Sequence, residues 1–154
     1  MSDEPRWLDT QEQAAWLGFV KITRLLFARL DQELSARSGL SHSDYVVLVV
    51  LSAQSDRRMR MGMLAELTTE SRSRLSHHIA RLEQAGWVRR EDDATDRRGS
   101  VAILTDKGFA TLEKAAPGHV EDVRRHLFDH LSAAEVRTLA EITAKVNAAL
   151  ERKA

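Results

Sequence analysis

Residues 71–105 read SRSRLSHHIARLEQAGWVRREDDATDRRGSVAILT, and the rest of the chain is best understood around them. The segment opens with an arginine-rich stretch in which Leu75, Ile79 and Leu82 recur at spacings of four and three residues, typical of a helix with one buried face. Gly86 is a good terminator for that helix. Two short apolar segments, 87–88 and 101–104, then flank the polar run EDDATDRRGS. The sequence therefore predicts a helix followed by a β-hairpin with a basic connecting loop.

Helices are also predicted on the N-terminal side of this segment. Thr10 is the expected N-cap of a long helix that runs to Ser38 and ends at Gly39. Ser41 starts the pattern SHSD, which is similar to a capping box with Asp in place of Glu. It predicts a second helix in HSDYVVLVVLSAQ, although the β-branched residues leave a strand as the alternative. A loop with one short edge strand in SDRRMR and a short helix in residues 61–67 complete this side.

On the C-terminal side two further long helices are predicted. One starts at Thr105-Asp106 and contains Pro117, where we expect a kink or a break. It then continues through HVEDVRRHLFDHL. A complete capping box, Ser132 with Glu135, starts the last helix. The fold class is therefore mainly α, with six helices and a small β-hairpin, and surplus apolar residues in the terminal helices indicate a dimer interface built from both ends of the chain.

The overall charge gives no support for nucleic-acid binding, so that case depends on local charge. The chain has 23 basic and 23 acidic residues. Between Arg57 and Arg98, however, ten Arg face seven Asp or Glu, and the helix from Ser71 to Leu82 carries three Arg and no acid. A basic helix of this kind is the local pattern that a DNA-binding element requires.

Several classes of protein are excluded by composition. A hydrophobic content of 43% and a charged content of 30% are ordinary for a globular protein. There is no Cys for disulfide or thiol chemistry. No apolar run approaches the length of a membrane span, and the N-terminus has no signal-peptide core. We find no nucleophile–base pair, phosphate-binding glycine loop or HExxH motif. We therefore expect a cytoplasmic protein that is not an enzyme, needs no cofactor and does not associate with membranes.

The segment 75–108 resembles the MarR family of bacterial transcriptional regulators. The matching motifs are the turn Leu82-Glu83-Gln84-Ala85-Gly86, the strand Val88-Arg89-Arg90, the wing tip Asp96-Arg97-Arg98 and the exit Ile103-Leu104-Thr105-Asp106-Lys107-Gly108. The order and lengths of the flanking helices match as well. The resemblance implies a winged helix-turn-helix repressor that binds double-stranded DNA as a homodimer on a pseudo-palindromic operator. It also implies release by a small aromatic or phenolic effector.

This resemblance divides the chain by role. Residues 1–154 form a single MarR-type domain, in which 41–105 are the winged helix-turn-helix DNA-binding region. The dimerisation helices are 10–38 and 106–152.

DNA contacts are predicted from the first turns of the helix that starts after Ser71, placed in the major groove. The predicted contact residues are Ser71, Arg72, Ser73, Arg74, Ser76 and His77, the last two by resemblance to the family. Arg72 or Arg74 can pair in bidentate fashion with guanine O6 and N7. The alternative is a solvated helix face without a binding role.

The hairpin supplies the second set of predicted contacts. Arg97 and Arg98 lie at its tip, and the resemblance assigns minor-groove insertion to Arg98. Asp96 is expected to brace that arginine, and Arg90 to support the wing by pairing with a nearby acid. The alternative is a surface ion-pair cluster of little energetic consequence.

An effector site and a metal site are less well defined. Trp16, Phe19, Tyr45 and His119 lie on the elements that line the pocket in similar proteins, although aromatic residues at such positions more often belong to the core. His126 and His130 have the i, i+4 spacing that suits a metal, and His119 and His42 are further candidates. Ordinary packing explains these histidines better, so no metal ligand is assigned. The alternatives to the main interpretation are a winged-helix protein-interaction module and a zinc-responsive regulator.

Overall fold

The structure, a computed structural model, describes residues 4–93 and 96–152, without the side chains of residues 96–98. Within these residues the chain is mainly helical, with a small antiparallel sheet, which confirms the predicted fold class. The α-helices are α1 (Thr10–Ser38), α2 (His42–Ser52), α3 (Met61–Leu67), α4 (Arg72–Gln84), α5 (Asp106–His126) and α6 (Ala133–Glu151). The strands are β1 (Arg58–Arg60), β2 (Val88–Asp93) and β3 (Asp96–Leu104), and a 3-10 helix spans Phe128–His130.

The helix starts follow the predicted caps, with one correction. Both capping boxes are present, Ser41 with Asp44 and Ser132 with Glu135. Thr10, however, is the first residue of α1, and Asp9 takes the capping position. The Asp9 carboxylate accepts from the Glu12 backbone N–H at 2.8 Å, and the Glu12 carboxylate accepts from the Asp9 N–H at 3.0 Å.

Helix α5 is not broken at Pro117, contrary to one of the two expectations. It runs without interruption from Asp106 to His126. A proline inside a helix costs about 3 kcal/mol, because it removes a hydrogen-bond donor and crowds the preceding turn. Pro117 is exposed, whereas Leu112 and Ala115 are buried in the core, so packing of the neighbouring turns offsets that cost. The helix also ends earlier than predicted.

The sheet has the strand order β1-β3-β2, and both pairings are antiparallel. Strands β2 and β3 form the predicted hairpin, the wing, and β1 is the predicted edge strand. Most of the expected connecting loop belongs to β2 and β3, whose pairing places Arg90 opposite Ala102 and Glu91 opposite Val101 and is irregular between Asp92 and Asp93. Backbone pairing does not depend on side-chain polarity, so an antiparallel ladder can continue beyond the apolar residues that indicated it.

Two compact units make up the chain. Residues Phe27–His119 form one unit, which contains the sheet, helices α2 to α4 and the adjoining parts of α1 and α5. Its core is a single cluster of buried apolar side chains that includes Leu48, Leu51, Leu64, Leu75, Ile79, Leu82 and Ala102. Because α4 contributes three of these, its orientation on this unit is set by core packing.

The other unit consists of the described parts of Met1–Leu26 and Val120–Ala154. It exposes large apolar side chains, with 56% of Trp16, 60% of Leu17, 55% of Ile142 and 65% of Leu150 accessible. Every residue of α6 lies in the described part of the chain, and none is buried. Apolar exposure on this scale is unusual for the surface of an isolated protein and typical of an interaction site. Across residues 4–93 and 96–152, no helix combines the length and apolarity of a membrane span.

Candidate DNA-binding surface

The first turn of α4 presents basic and hydroxyl groups to solvent. Ser71 is the N-cap, and its hydroxyl accepts from the Arg74 backbone N–H at 3.3 Å. Arg72, Ser73, Arg74 and His77 are all exposed. The turn contains no acid, so the arginine charges add to the partial positive charge of the helix N-terminus. Such a turn is well suited to bind phosphate oxygens or the acceptor edge of a base.

The opposite face of α4 is buried as predicted. Leu75, Ile79 and Leu82 have no accessible surface. Their burial fixes the rotation of the helix about its own axis, so the exposed arginines point away from the core. The predicted buried stripe is therefore confirmed. The contact residues predicted on α4 lie on its accessible side, and Ser76 lies at the margin of that side.

The C-terminus of α4 is closed by a motif that leads directly into the wing. Gly86 adopts a left-handed conformation (φ 75°), its N–H donates to Glu83 O, and the Trp87 N–H donates to Leu82 O. This is the Schellman arrangement, in which a residue at positive φ reverses the chain, and glycine is the residue that adopts it without strain. Gly86 therefore sets the direction of β2 relative to α4.

Arg90 ties the wing to α4. Its guanidinium donates to Ser76 O at 3.1 Å and to the Ser76 hydroxyl at 3.4 Å, and lies 3.7 Å from Glu83 Oε2. The Arg90 backbone N–H donates to the same carboxylate at 2.8 Å. The predicted pairing of Arg90 with a nearby acid is present, and the acid is Glu83. The role of Arg90 in supporting the wing stays a prediction. Ser76 is half-buried and already engaged by Arg90, so it is less accessible than its neighbours.

An open groove of about 540 Å³ separates the start of α3, helix α4 and the wing. Three arginines line it: Arg60 from β1, Arg72 from α4 and Arg90 from β2. Arg60 forms an ion pair with Asp93 at 2.7 Å. Two acids, Glu66 and Asp93, line it as well, so the groove between α4 and the hairpin has a mixed lining in which arginines outnumber acids.

The predicted wing-tip contacts depend on side chains outside the described residues. The backbone of Asp96, Arg97 and Arg98 belongs to β3, but their side chains lie outside the described residues. Their assigned roles, insertion of Arg98 and bracing by Asp96, therefore stay predictions.

A buried ionic cluster behind α4 was missed by the sequence analysis. Asp44 is 1% exposed, and its carboxylate accepts from His78 Nε2 at 2.8 Å, from Ser41 N at 2.9 Å and from the Arg81 guanidinium. The other ring nitrogen, His78 Nδ1, lies 3.0 Å from the Glu70 carboxylate. A signal was available, because His78 lies three residues after Leu75 and is therefore on the buried stripe.

Both acid–base partners of this cluster have shifted pKa values. Burial raises the pKa of Asp44, but hydrogen bonds from His78, Arg81 and Ser41 outweigh it and hold the pKa well below its usual range. The hydrogen bond to Asp44 raises the pKa of His78 more than burial lowers it, and Glu70 adds to the rise. The charged form of each side chain is therefore favoured in the folded protein.

The proposed effector residues are only partly brought together. The rings of Tyr45 and His119 are in tilted contact with centroids 4.3 Å apart, and the His42 ring lies 5.6 Å from that of His119. Beside them, a cavity of about 270 Å³ is lined by His119, Arg37 and Lys114 among others. Trp16 and Phe19 are more than half exposed and belong to the other compact unit. Whether any of these four residues binds an effector stays a prediction.

The histidine spacing that suggested a metal is not realised. Helix α5 ends at His126, and His130 ends the separate 3-10 helix, so the pair does not share one helix. Among the described residues, no group of three or more His, Asp or Glu side chains is arranged to hold a metal ion.

Comparisons with known proteins place this geometry in a family. A sequence model of the MarR family matches residues 38–99. The fold of Sco3205, a MarR family transcriptional regulator from Streptomyces coelicolor solved in complex with DNA, superposes with a TM-score of 0.89. The two sequences are 46% identical, and the match covers 95% of this chain and 91% of Sco3205.

Two curated relatives are more distant. The regulator PecS of Dickeya dadantii is 29% identical over 109 residues, which is 70% of this chain and 66% of PecS. The transcriptional repressor MprA of Escherichia coli is 26% identical over 114 residues, which is 74% of this chain and 64% of MprA. The chain thus spans slightly less than two thirds of the length of these relatives. The geometry agrees with the Sco3205 match: a basic helix is backed by an apolar stripe and joined to a wing. Together they show that the chain belongs to the MarR family of DNA-binding transcriptional regulators.

Proposed function

We propose that the protein is a homodimeric repressor that binds a pseudo-palindromic operator and releases it when a small aromatic ligand binds. In this proposal residues 41–105 are the DNA-binding region of a single MarR-type domain, with α4 as the recognition helix. Helices in 10–38 and 106–152 hold the two protomers together. The wing of each protomer enters the adjacent minor groove.

One observation carries the DNA-binding part of the proposal. The acid-free first turn of α4 exposes Arg72, Ser73 and Arg74, while the opposite face of the same helix is locked into the core by fully buried side chains. A helix enters the major groove with its N-terminal residues at the base edges. Rigid backing of an exposed, basic N-terminal turn is the arrangement that such docking requires.

The wing supports the same docking from a second direction. Arg90 fastens β2 to Ser76 in the second turn of α4 and to Glu83 near its end, so the helix and hairpin move together. Two arginines, Arg97 and Arg98, lie on β3 at the far end of this hairpin. Arginine is favoured in narrow minor grooves, where the negative potential is highest. We assign Arg98 to that groove and Asp96 to orienting it.

Exposed apolar helices support the homodimer. On α6, Ile142, Val146 and Leu150 recur every four residues and are 55%, 50% and 65% exposed. On α1, Trp16, Phe19 and Leu25 are similarly accessible. A second copy of the chain supplies a self-complementary apolar surface that would cover both stripes. Two recognition helices would then face successive turns of the same DNA duplex.

Repression and release rest on two further observations. The relative MprA is a transcriptional repressor, although it is only 26% identical. The cavity beside His119 combines the apolar walls of Leu34 and Ala115 with the charges of Arg37 and Lys114. Such a lining suits a small aromatic acid, with its ring on the apolar side and its carboxylate on the cations.

The proposal is tested by the base preference of recognition-helix variants. Wild-type protein, Arg72→Ala and Arg74→Ala are each used to select binding sites from a pool of random duplexes. A base-reading arginine should lose its preference at one position in each half-site, because a bidentate contact to guanine contributes about 1–3 kcal/mol of discrimination. A phosphate-contacting arginine should weaken binding uniformly. If both variants select the wild-type sites with wild-type affinity, α4 is not the recognition helix.

A further inference from the structure

The His78 ionic cluster, consisting of Asp44, Glu70, His78 and Arg81, lies directly behind the proposed DNA-reading face. Asp44 belongs to α2, Glu70 to the connection between α3 and α4, and the other two to α4. The side chains of Asp44 and His78 are 1% and 7% exposed. The cluster therefore links α2, the α3–α4 connection and α4 through polar contacts centred on two buried side chains, Asp44 and His78.

With both neighbouring carboxylates ionised, the geometry favours a doubly protonated imidazole. His78 Nε2 lies 2.8 Å from Asp44 Oδ1, and His78 Nδ1 lies 3.0 Å from Glu70 Oε1. An ionised carboxylate only accepts hydrogen bonds, and a neutral imidazole has only one N–H to donate. Both contacts are satisfied together only when the ring is an imidazolium. Loss of its proton would leave one carboxylate facing a ring nitrogen lone pair.

The charges around His78 are balanced only in that state. Asp44 faces it from α2 and Glu70 from the α3–α4 connection. Arg81 shares the Asp44 carboxylate, and Arg74 and His77, also on α4, line the same open cavity beside the ring. With His78 charged, two anions are matched by His78 and Arg81. With His78 neutral, the cluster carries a net negative charge close to a surface that must accept phosphates.

The cluster holds the beginning of α4 by a route that the apolar core does not. Thr69, in the connection before α4, adopts a left-handed conformation (φ 58°), which is strained for a β-branched residue. Glu70 follows it and directly precedes the N-cap Ser71. The bond from His78 back to Glu70 therefore fixes the strained connection to the second turn of α4. Burial of the apolar stripe already fixes which face of α4 turns inward. These directional hydrogen bonds add a second constraint, which holds the connection before α4 against its second turn.

We infer that Asp44, Glu70 and His78 are positioning residues for operator recognition, and that specific DNA binding requires His78 to be protonated. They act through Arg72 and Arg74, which they hold at the base edges without touching DNA. Specific affinity therefore falls as the pH rises through the titration of His78, while non-specific binding to phosphates, which needs no fixed helix register, falls less. The inference rests on the proposed role of α4 as the recognition helix.

The protonation state is tested without DNA, so its outcome is independent of the proposed function. The full-length protein, labelled with ¹⁵N-histidine, is titrated by NMR between about pH 6 and pH 9. We expect both His78 ring nitrogens to carry protons at neutral pH and the ring to titrate above an ordinary histidine. A neutral single tautomer of His78 at pH 7 would overturn the inference.

The role in recognition is tested with a duplex of about 30 base pairs, enriched from a random pool by the wild-type protein, and a scrambled duplex of equal length. The ratio of the two affinities should fall along the NMR titration of His78. His78→Gln should lower that ratio at least about tenfold at neutral pH and flatten its pH profile. Asp44→Asn removes the main source of the raised pKa and should shift the profile to lower pH.

Controls separate this inference from its premise. His130→Gln, an exposed histidine of the 3-10 helix, should keep the wild-type ratio and profile. If Arg74→Ala and Arg72→Ala both select the wild-type sites with wild-type affinity, the recognition-helix assignment fails, whatever NMR shows for His78. If His78→Gln does not fold, the wild-type protein still tests the inference. A wild-type affinity ratio that does not follow the NMR titration of His78 contradicts it. A His78→Gln variant with the wild-type ratio and pH profile would also contradict it.

Discussion

Replacing Gly108 with alanine should destabilise the protein by about 2 kcal/mol, because no space exists for a methyl group there. A Cβ on Gly108 would lie 2.1 Å from the carbonyl oxygen of Trp87 and 2.8 Å from a methyl of Leu104. The first distance is more than 1 Å short of ordinary van der Waals contact. The Trp87 carbonyl cannot easily retreat, since it accepts from the Thr105 N–H at 3.0 Å and from the Thr105 hydroxyl at 3.1 Å.

The magnitude follows from two opposing terms. Overpacking against fixed backbone costs about 1–3 kcal/mol, occasionally more. Alanine recovers up to about 1 kcal/mol of helix propensity, because position 108 lies in the first turn of α5. Because the obstructing group is backbone, we place the overpacking cost at the upper end of its range. After the gain in helix propensity, a net loss of about 2 kcal/mol remains.

Urea unfolding at one fixed protein concentration measures this difference, since the stability of the proposed dimer would depend on concentration. Gly62→Ala is the matched control, because it is also helical and a Cβ there meets nothing within 4 Å. The control should be neutral or stabilised by up to about 1 kcal/mol. A Gly108→Ala protein as stable as wild type would refute the close contact between the start of α5 and the start of the wing.

Three further outcomes are expected. Val146→Asp places a charge in the exposed stripe of α6 and should yield monomers in sedimentation experiments, whereas Lys145→Asp, on the adjacent face, should leave the dimer intact. Arg98→Ala should weaken operator binding in gel-shift titrations by a factor of ten or more, equivalent to about 1.4 kcal/mol, without dissociating the dimer; unchanged affinity would argue against insertion of the wing. Stability should also depend on pH in two windows. The raised pKa of His78 contributes stability that is complete below about pH 6.5 and is lost as the pH rises through the folded-state value. The lowered pKa of Asp44 contributes stability above about pH 3.9 that is lost as the pH falls through the folded-state value. His78→Gln should remove the alkaline loss, and it should reduce the acid loss without abolishing it, because Arg81 and Ser41 still hold the Asp44 pKa down. An unchanged alkaline limb would contradict the assignment.

The sequence predicted those parts of the fold whose causes are local. Capping boxes at Ser41 and Ser132 need only residues three apart, and the buried stripe of α4 follows from helical spacing alone. Gly86 marked a helix end because its conformation is set by the backbone at that residue.

Apart from the N-cap of α1, which is one residue earlier than predicted, the errors came from features that depend on distant residues. Helix α5 continues through Pro117 because the core beneath Leu112 and Ala115 holds its neighbouring turns, and no local pattern reports that support. The wing strands extend into a polar run because each is paired with the other, which residue polarity does not reveal.

The same limit explains why the site was predicted only in part. Arg72 and Arg74 are predicted contacts because of their position after an N-cap, and the structure shows that both are exposed. His78 could not be assigned to Asp44, 34 residues earlier in the chain, because that pairing exists only when α4 packs on α2. Asp44 itself was correctly interpreted as a capping residue, and this role concealed its second one.

The central claim, that two α4 helices of a homodimer read successive major grooves, is tested most directly by site selection with the wild-type protein. Duplexes are enriched from a random pool, sequenced, and footprinted with the protein bound. The account predicts an inverted repeat whose half-site centres are about 10 base pairs apart, with major-groove protection at each centre. Enrichment of a single unrepeated half-site, or of no sequence at all, would contradict it.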